Sequence, residues 1–395
     1  MMNTASYPRS RLTIALTVLL AMQFVGVGVL LPAYAFNQPS SAAFRIFAVA
    51  MALGGVATLW GVWQQRSWAP WAVLTLLSFK LTVDLFNYAL NLDRLLLPLS
   101  ELINGAILVL AFRWPTPAST SITRGQRVFF AFVLLLAGWV GVWGMFFPVQ
   151  AVTIAIPLTV PPLHARFLGA MYLSGATFMA FALAARSWGA LRVVVPMIAI
   201  WTGMLGVVSL FYLDVFSWDW RRTWVWFVAY IAFPIIATWI CWVQRRVAQP
   251  AAPPTLPVVV RAYWFIQGAL VTLLALALLA VPAAMVAIWP WNITPLLAQI
   301  YSAPFLSYGL GSLYAARQRQ WSEVRIPTYA MLVFTLGVLL ASSQHLALFD
   351  FRSLSAWVWF GGFGIAALAL ASFGFVSATR AAPAARAQQR YQTPV

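Results

Sequence analysis

The sequence predicts an all-α, polytopic integral membrane protein. About twelve transmembrane helices are expected, arranged as three tandem parallel four-helix repeats with both termini in the cytoplasm. Three observations predict this. Hydrophobic residues make up 63% of the 395 positions and charged residues only 8%, against about a quarter charged in a soluble domain. With a mean hydropathy of +0.86, the chain has too little polar surface to face water on all sides. Apolar runs long enough to cross about 30 Å of hydrocarbon recur from end to end. One skeleton is also written three times, as Ala50, Leu53, Arg66 and Trp68, as Ala170, Leu173, Arg186 and Trp188, and as Ala303, Leu306, Arg319 and Trp321.

The chain begins with a short polar stretch carrying Arg9 and Arg11, followed by an apolar run from Leu12 to Tyr34. Ala33-Tyr34-Ala35 resembles a signal-peptidase site, but the run exceeds the roughly 7–15 residues of a cleaved segment. It therefore reads as a retained first helix. The first unit, 1–113, holds predicted spans near 12–34, 43–63, 69–90 and 95–112. A linker at 114–126, WPTPASTSITRGQ, is too rich in Pro and polar residues to continue a helix. The second unit, 127–246, has spans near 127–147, 165–185, 191–213 and 223–244. A second linker, 247–260, opens VAQPAAPPTLPV. The third unit, 261–378, has spans near 262–288, 296–316, 326–348 and 354–377. The tail, 379–395, carries Arg380, Arg386 and Arg390 and reads as a basic disordered segment.

Charge placement supports this count. With twelve spans, 17 of the 24 Lys and Arg residues fall on the side of the termini and six on the other, with Lys80 inside a span. Such asymmetry places the basic side in the cytoplasm. The net charge of +17 is thus a topology signal rather than a nucleic-acid footprint, since no basic stripe interleaved with aromatics lies outside the spans. The expected environment is the lipid bilayer of a cell (plasma or inner) membrane.

The second and third units align without a gap at an offset of 133, matching Pro162 with Pro295, Ser174 with Ser307 and Arg192 with Arg325. The tetrapeptide WVWF recurs at 224–227 and 357–360, still at that offset. The first unit aligns to the second at offset 120 and is the most diverged. Eighteen residues of helix rise about 27 Å, so the repeated Ala and the Arg-x-Trp turn read as opposite ends of one span. Trp is expected at the headgroup level, with Arg beside it on the cytoplasmic side. Ala50/Gly54, Ala170/Ser174 and Ala303/Ser307 are small-xxx-small pairs that let a neighbouring helix approach. Asp93-Arg94, Asp219-Trp220-Arg221 and Asp350-Phe351-Arg352 read as helix N-caps with a local ion pair. The segment PPLHARFLGAMYLSGA, 161–176, resembles one found in uncharacterised multi-pass bacterial membrane proteins. That resemblance implies a bacterial membrane protein and carries no activity or site residue with it.

Ionisable groups at membrane depth are costly and mark candidate sites. Most fall in the first unit. Lys80, Asp84 and Asn87, followed by Asn91, form one polar stripe on its third span, and Glu101 and Asn104 lie one turn apart on the fourth. Helical rise places the two stripes at matching depths on adjacent antiparallel helices. The cluster suits proton exchange or cation binding, and equally an ion-pair network that fixes helix packing. Gln23, Gln267 and Gln299 are read as interhelical hydrogen-bonding residues. His164 and Arg166 follow the outer loop 148–164, and His345 stands near the outer end of the eleventh span.

One cysteine, Cys241, and two histidines are too few for a disulfide or a zinc site. With no phosphate loop, nucleophile elbow or zinc-protease motif, no catalytic residue, metal or cofactor is assigned. The sequence therefore reads as a carrier or channel-like protein for a small solute, ion or lipid. The alternative is a non-catalytic subunit that scaffolds other membrane subunits.

Overall fold

A computed structural model describes residues 11–24, 31–37, 42–66, 102–107, 122–245 and 256–391, together with isolated positions at 29, 69, 72–73, 76–77 and 110. Among these residues the chain holds thirteen α-helices, a further helical stretch at 102–107 and no strand. Seven helices are long and apolar enough to cross a bilayer, as expected of a polytopic membrane protein.

In order, the helices are α1 (Arg11–Phe24), α2 (Leu31–Asn37), α3 (Ala42–Trp63), α4 (Arg124–Phe146), α5 (Pro148–Ile154), α6 (Pro162–Ala184), α7 (Val194–Phe211), α8 (Arg221–Gln244), α9 (Val258–Ala280), α10 (Pro282–Ile288), α11 (Pro295–Ala316), α12 (Trp321–Ser343) and α13 (Leu354–Tyr391). Of the predicted first-unit spans, 43–63 corresponds to α3. The run 12–34 contains α1 and part of α2, and most of 69–90 and 95–112 lies outside the described residues. The α1–α3 pair is tied by Gln65, whose side-chain amide donates to Thr13 Oγ1 at 3.1 Å.

Two boundaries differ from the sequence reading for one reason. The predicted span 262–288 is split into α9 and α10, and the predicted loop 148–164 contains the seven-residue α5. In both places a proline opens the second helix. The residue before it, Phe147 or Val281, sits at φ −130° and ψ 59° or 54°. Proline has no N–H for the helical ladder and disfavours α geometry in its predecessor. Hydropathy does not register that loss, because both sides of the break are apolar.

Within 122–245, α4 pairs with α6 and α7 with α8. Within 256–391, α9 pairs with α11 and α12 with α13. The two sets join by exchange: α6 packs on α12, and α11 packs on α7. Ser174 on α6 donates to the Ala330 carbonyl of α12 at 2.7 Å, and Ser307 on α11 donates to the Met197 carbonyl of α7 at 2.7 Å. Donors and acceptors are each separated by 133 positions. Ala170 and Ala303 are fully buried, and a Cβ on Gly337 of α12 would stand 2.9 Å from that of Ala170. The Ala-to-Ser pairs in α6 and α11 thus lie where helices approach closely. Ala50, in contrast, is exposed.

Further bonds recur at or beside the same spacing. Arg127 donates to the Leu183 and Ala185 carbonyls at the C-terminus of α6, and Arg261, 134 positions on, donates to Ala316 at the C-terminus of α11. Each helix end has unpaired carbonyls, which a guanidinium satisfies. The WVWF tetrapeptides acquire a physical role as well. Their first indoles, Trp224 and Trp357, donate to the loop carbonyls of Trp218 and Phe351 at 3.0 and 2.9 Å. Their second, Trp226 and Trp359, donate to Ser209 and Ser342 at 2.8 and 3.0 Å. One residue fastens the loop and the other locks the hairpin.

Two local expectations are corrected. Trp188 is only 7% exposed, because it opens a 3-10 turn that packs on α12. It is a core residue and not a headgroup anchor. The two described Asp-Arg loops do not cap their helices by an ion pair, and Asp93-Arg94 lies outside the described residues. Asp350 instead accepts from the backbone N–H of Arg352 at 2.9 Å, two residues on, and Trp220 is the N-cap of α8 without a side-chain cap bond. No ion pair joins Asp219 to Arg221 or Asp350 to Arg352 among the described residues.

Candidate functional site

Lys80, Asp84, Asn87 and Glu101 lie outside the described residues. Asn104, the remaining member of that predicted cluster, is buried within the helical stretch 102–107. The structure instead directs attention to the 122–245 set, where α4, α6, α7 and α8 enclose a cavity of about 360 Å³.

The shape of this cavity follows from how α4 and α8 meet. At one end they are pinned together, with Gln244 donating to Gln126 at 3.1 Å. Slightly further along, the Phe233 ring packs edge-on against Phe129 and Phe132 at 5.8 and 6.1 Å. Beyond that point, the space between the two helices is backed by Tyr172 and Gly175 of α6 and by Ile198 and Trp201 of α7. Ile154 and Ala155, at the end of α5, and Arg221 and Arg222, at the start of α8, form the opposite end. From Arg221 to Phe233 is twelve residues of helix, or about 18 Å, close to half a bilayer's hydrocarbon thickness. Val225 is 50% exposed, so the cavity meets the surroundings along the α8 side.

The walls are almost wholly apolar. At mid-depth the Tyr172 and Tyr230 hydroxyls hydrogen-bond to each other. Each phenol has one proton, so the pair keeps one O–H uncommitted among the described residues. At the mouth, Arg222 donates to the Thr153 carbonyl at 2.5 Å, and its guanidinium lies 3.6 Å over the Trp220 ring. Its Nε is buried without a partner. Arg221 is exposed and forms no hydrogen bond or ion pair with the described residues.

The corresponding volume in the 256–391 set is filled. Where α6 has Gly175, α11 has Tyr308, 133 positions on. Tyr308 packs at a tilt on Phe334 at 4.8 Å, and Phe334 meets Phe363 edge-on at 5.6 Å. Phe363 stands where α8 has Tyr230, and Leu354 and Ser355 stand where it has the two arginines. Cavity, hydroxyl pair and arginines are therefore present together in one set and replaced together in the other.

A second polar group occupies the crossing of α6 and α12. His164 Nδ1 lies 2.7 Å from the Tyr301 hydroxyl, and Arg166 Nη1 lies 2.6 Å from His345 Nε2. Rings of Phe167, Trp289 and Trp291 pack against the His164–Tyr301 pair. Burial and the Arg166 charge hold the His345 imidazole below the usual histidine range. At the matching crossing of α11 and α7, Gln299 accepts from the Tyr212 hydroxyl at 2.6 Å, so one crossing carries a titratable pair and the other a neutral one. Gln267 and Gln299 both make interhelical hydrogen bonds, as expected.

At the opposite end of the bundle, Arg192 is ion-paired with Glu323, whose other oxygen accepts from the Arg319 and Gln320 backbone N–H groups at 3.1 and 3.0 Å. Sequence reading passed over Glu323, although it is a nearly buried carboxylate. Its signal was its position three residues after Gln320, at the start of an apolar run. Among the described residues, no three His, Cys, Asp or Glu side chains gather as a metal site would require. No family model, curated protein or solved structure matches the chain.

Proposed function

We propose that this is a carrier-like multi-pass membrane protein for an amphipathic, lipid-class molecule, held in the cavity between α4 and α8. The observation that carries the reading is the cavity itself, an apolar chamber about one leaflet deep with polar groups at its mouth and middle. A small hydrated ion gains nothing from such walls, whereas an alkyl or isoprenoid chain exchanges one apolar environment for another and is selected by shape. Gly175→Tyr and, independently, Ala137→Phe should fill the chamber. Lipid extraction and mass spectrometry of the purified protein should find a tightly held lipid on the wild type that both variants lose. Equal lipid content in all three would sink the reading.

The architecture belongs to the same proposal. Twelve spans in three parallel four-helix units, with both termini in the cytoplasm of a bacterial cell, are supported by the 17-to-six charge asymmetry and by the bonds recurring 133 residues apart. On this topology the arginine end of the cavity faces outward. In a Cys241→Ala background, impermeant labelling from outside should reach a cysteine at Asn37 or Val152. Labelling at Ser119 would reverse the orientation. Lys80, Asp84, Asn87, Glu101 and Asn104 are proposed as an intramembrane polar site that couples a proton or cation to the carrier. Asp84→Asn and Glu101→Gln should then abolish coupled activity while leaving expression intact.

The scaffold alternative draws on one observation. A Cβ added at Gly361, Gly362 or Gly364 of α13 meets nothing within 4 Å, leaving a small-residue face on which a helix of another membrane subunit could pack. A reproducible stoichiometric partner after mild-detergent purification would favour it.

A further inference from the structure

We infer that the cavity selects a lipid with an anionic, phosphate-bearing headgroup, with Arg221 and Arg222 holding the phosphate and the chain running inward to Phe233. This rests on the lipid reading above and adds the chemistry of the headgroup.

Arg221 and Arg222 occupy the first two positions of α8, where the helix dipole is positive and anions are favoured over cations. Two adjacent guanidinium groups there oppose the dipole and each other. No carboxylate among the described residues pairs with either, since Asp219 makes no ion pair with them. An anion at this point is favoured by both charges and by the first N–H groups of the helix, those of Arg221 and Arg222, since that of Thr223 is bonded to the Trp220 carbonyl. Arg222 is already oriented by its bond to Thr153 and its contact with Trp220. Arg221 is uncommitted, and a guanidinium fork matches phosphate oxygens bidentately.

The occupant is a lipid rather than a free anion because the charged mouth and the apolar chamber are one continuous space. The Phe233 contact closes it about 18 Å from Arg221, the reach of a chain in one leaflet. The other set supplies the internal control. Where Tyr308 fills the chamber, the arginine positions are Leu354 and Ser355. Charge is therefore retained where there is a chamber to serve.

The test uses the full-length protein in nanodiscs doped with phosphatidylglycerol or phosphatidylcholine carrying the same diazirine-bearing acyl chain, with adducts mapped by mass spectrometry. Phosphatidylglycerol should label the cavity segments of α4 and α8 about tenfold more than phosphatidylcholine, because both carry the phosphate but the choline ammonium sets a further cation against the two guanidinium groups. Arg221→Gln should remove most of that preference, Arg221→Lys should keep part of it, and Gly175→Tyr should abolish labelling by both lipids. Equal labelling by the two lipids, lost only in Gly175→Tyr, would overturn headgroup selection and leave the lipid reading standing. A preference unchanged in both Arg221→Gln and Arg221→Glu would overturn the assignment to Arg221. Absence of cavity adducts from either lipid would overturn both readings.

Discussion

Arg166 and His345, 179 residues apart in the chain, face each other at 2.6 Å between Nη1 and Nε2. A guanidinium can only donate, so His345 must offer a lone pair and be neutral. Protonating it would remove the acceptor and set two cations against one another. The imidazole pKa is therefore lowered in the fold, through burial first and the Arg166 charge second. A group that is neutral in the fold and protonated in the unfolded chain stabilises fully above its unfolded pKa. That contribution declines as pH falls below about 6.5 and is lost as pH passes the lowered pKa of the folded state. Thermal unfolding in detergent should show a lower Tm at about pH 5 than at about pH 7.5. His345→Gln keeps an acceptor for Arg166 without a titrating ring and should flatten part of that difference. An identical pH dependence in the variant would dismiss the pair as its source.

Glu323 joins the 122–245 and 256–391 sets at the other end. It pairs with Arg192 and accepts from two backbone N–H groups that begin α12. Glu323→Ala strips all three contacts and should cost about 3 kcal/mol, the scale for breaking a buried pair from one side. Glu323→Gln keeps an oxygen for the helix start but leaves Arg192 without its counter-charge, and should fall between alanine and wild type. Unfolding in mixed micelles measures this order. If alanine and glutamine are equally mild, the ion pair contributes little to joining the sets.

The helical, membrane-like character was legible because hydropathy reports on it directly. Residues 122–245 and 256–391 hold eight long helices close to their expected positions, and the recurring Ala, Ser and WVWF residues lie at helix contacts. Three kinds of feature were not legible. The breaks before Pro148 and Pro282 are backbone events inside apolar runs, to which hydropathy is blind. Trp188 belongs to a residue type that favours interfaces, but only the turn of chain after α6 decides that it faces α12. The cavity is an absence, written as Gly175 opposite Tyr308, and a scan for chemical motifs has nothing to register there. Arg166 and His345 were each noted alone. Their pairing becomes visible in the sequence only through the exchange that sets Gln299 against Tyr212. For the first-unit cluster, four of the five residues lie outside the described residues.

The exchanged serines offer a direct test of that joining. Ser174 and Ser307 are buried, each donating to a carbonyl on the facing helix at 2.7 Å. Replacing either with Ala should cost about 1 kcal/mol, and the two losses should be similar because the settings match. Their joint loss in the double variant should approach the sum if the crossings are energetically independent. A large cost at one position and none at the other would mean that the two crossings do not share the load.

Close backbone approach makes the sharpest prediction. A Cβ on Gly169 would stand 2.3 Å from the backbone N of Met145 and within 2.8 Å of its Cα, and one on Gly144 would stand 2.6 Å from the Ala165 carbonyl. The obstacles are main-chain atoms, so no side-chain rotation relieves them and α4 must move away from α6. Gly169→Ala should therefore cost about 1–3 kcal/mol, in the range for overpacking, despite the better helix propensity of Ala. Because α4 and α6 also bound the cavity, the same variant should loosen lipid retention. Gly362→Ala on α13, where nothing lies within 4 Å, should be neutral or slightly stabilising through propensity alone, by up to about 1 kcal/mol. Chemical unfolding of the two variants side by side separates steric from propensity effects. A Gly169→Ala protein as stable as wild type would show that the α4–α6 contact is looser than its backbone distances indicate.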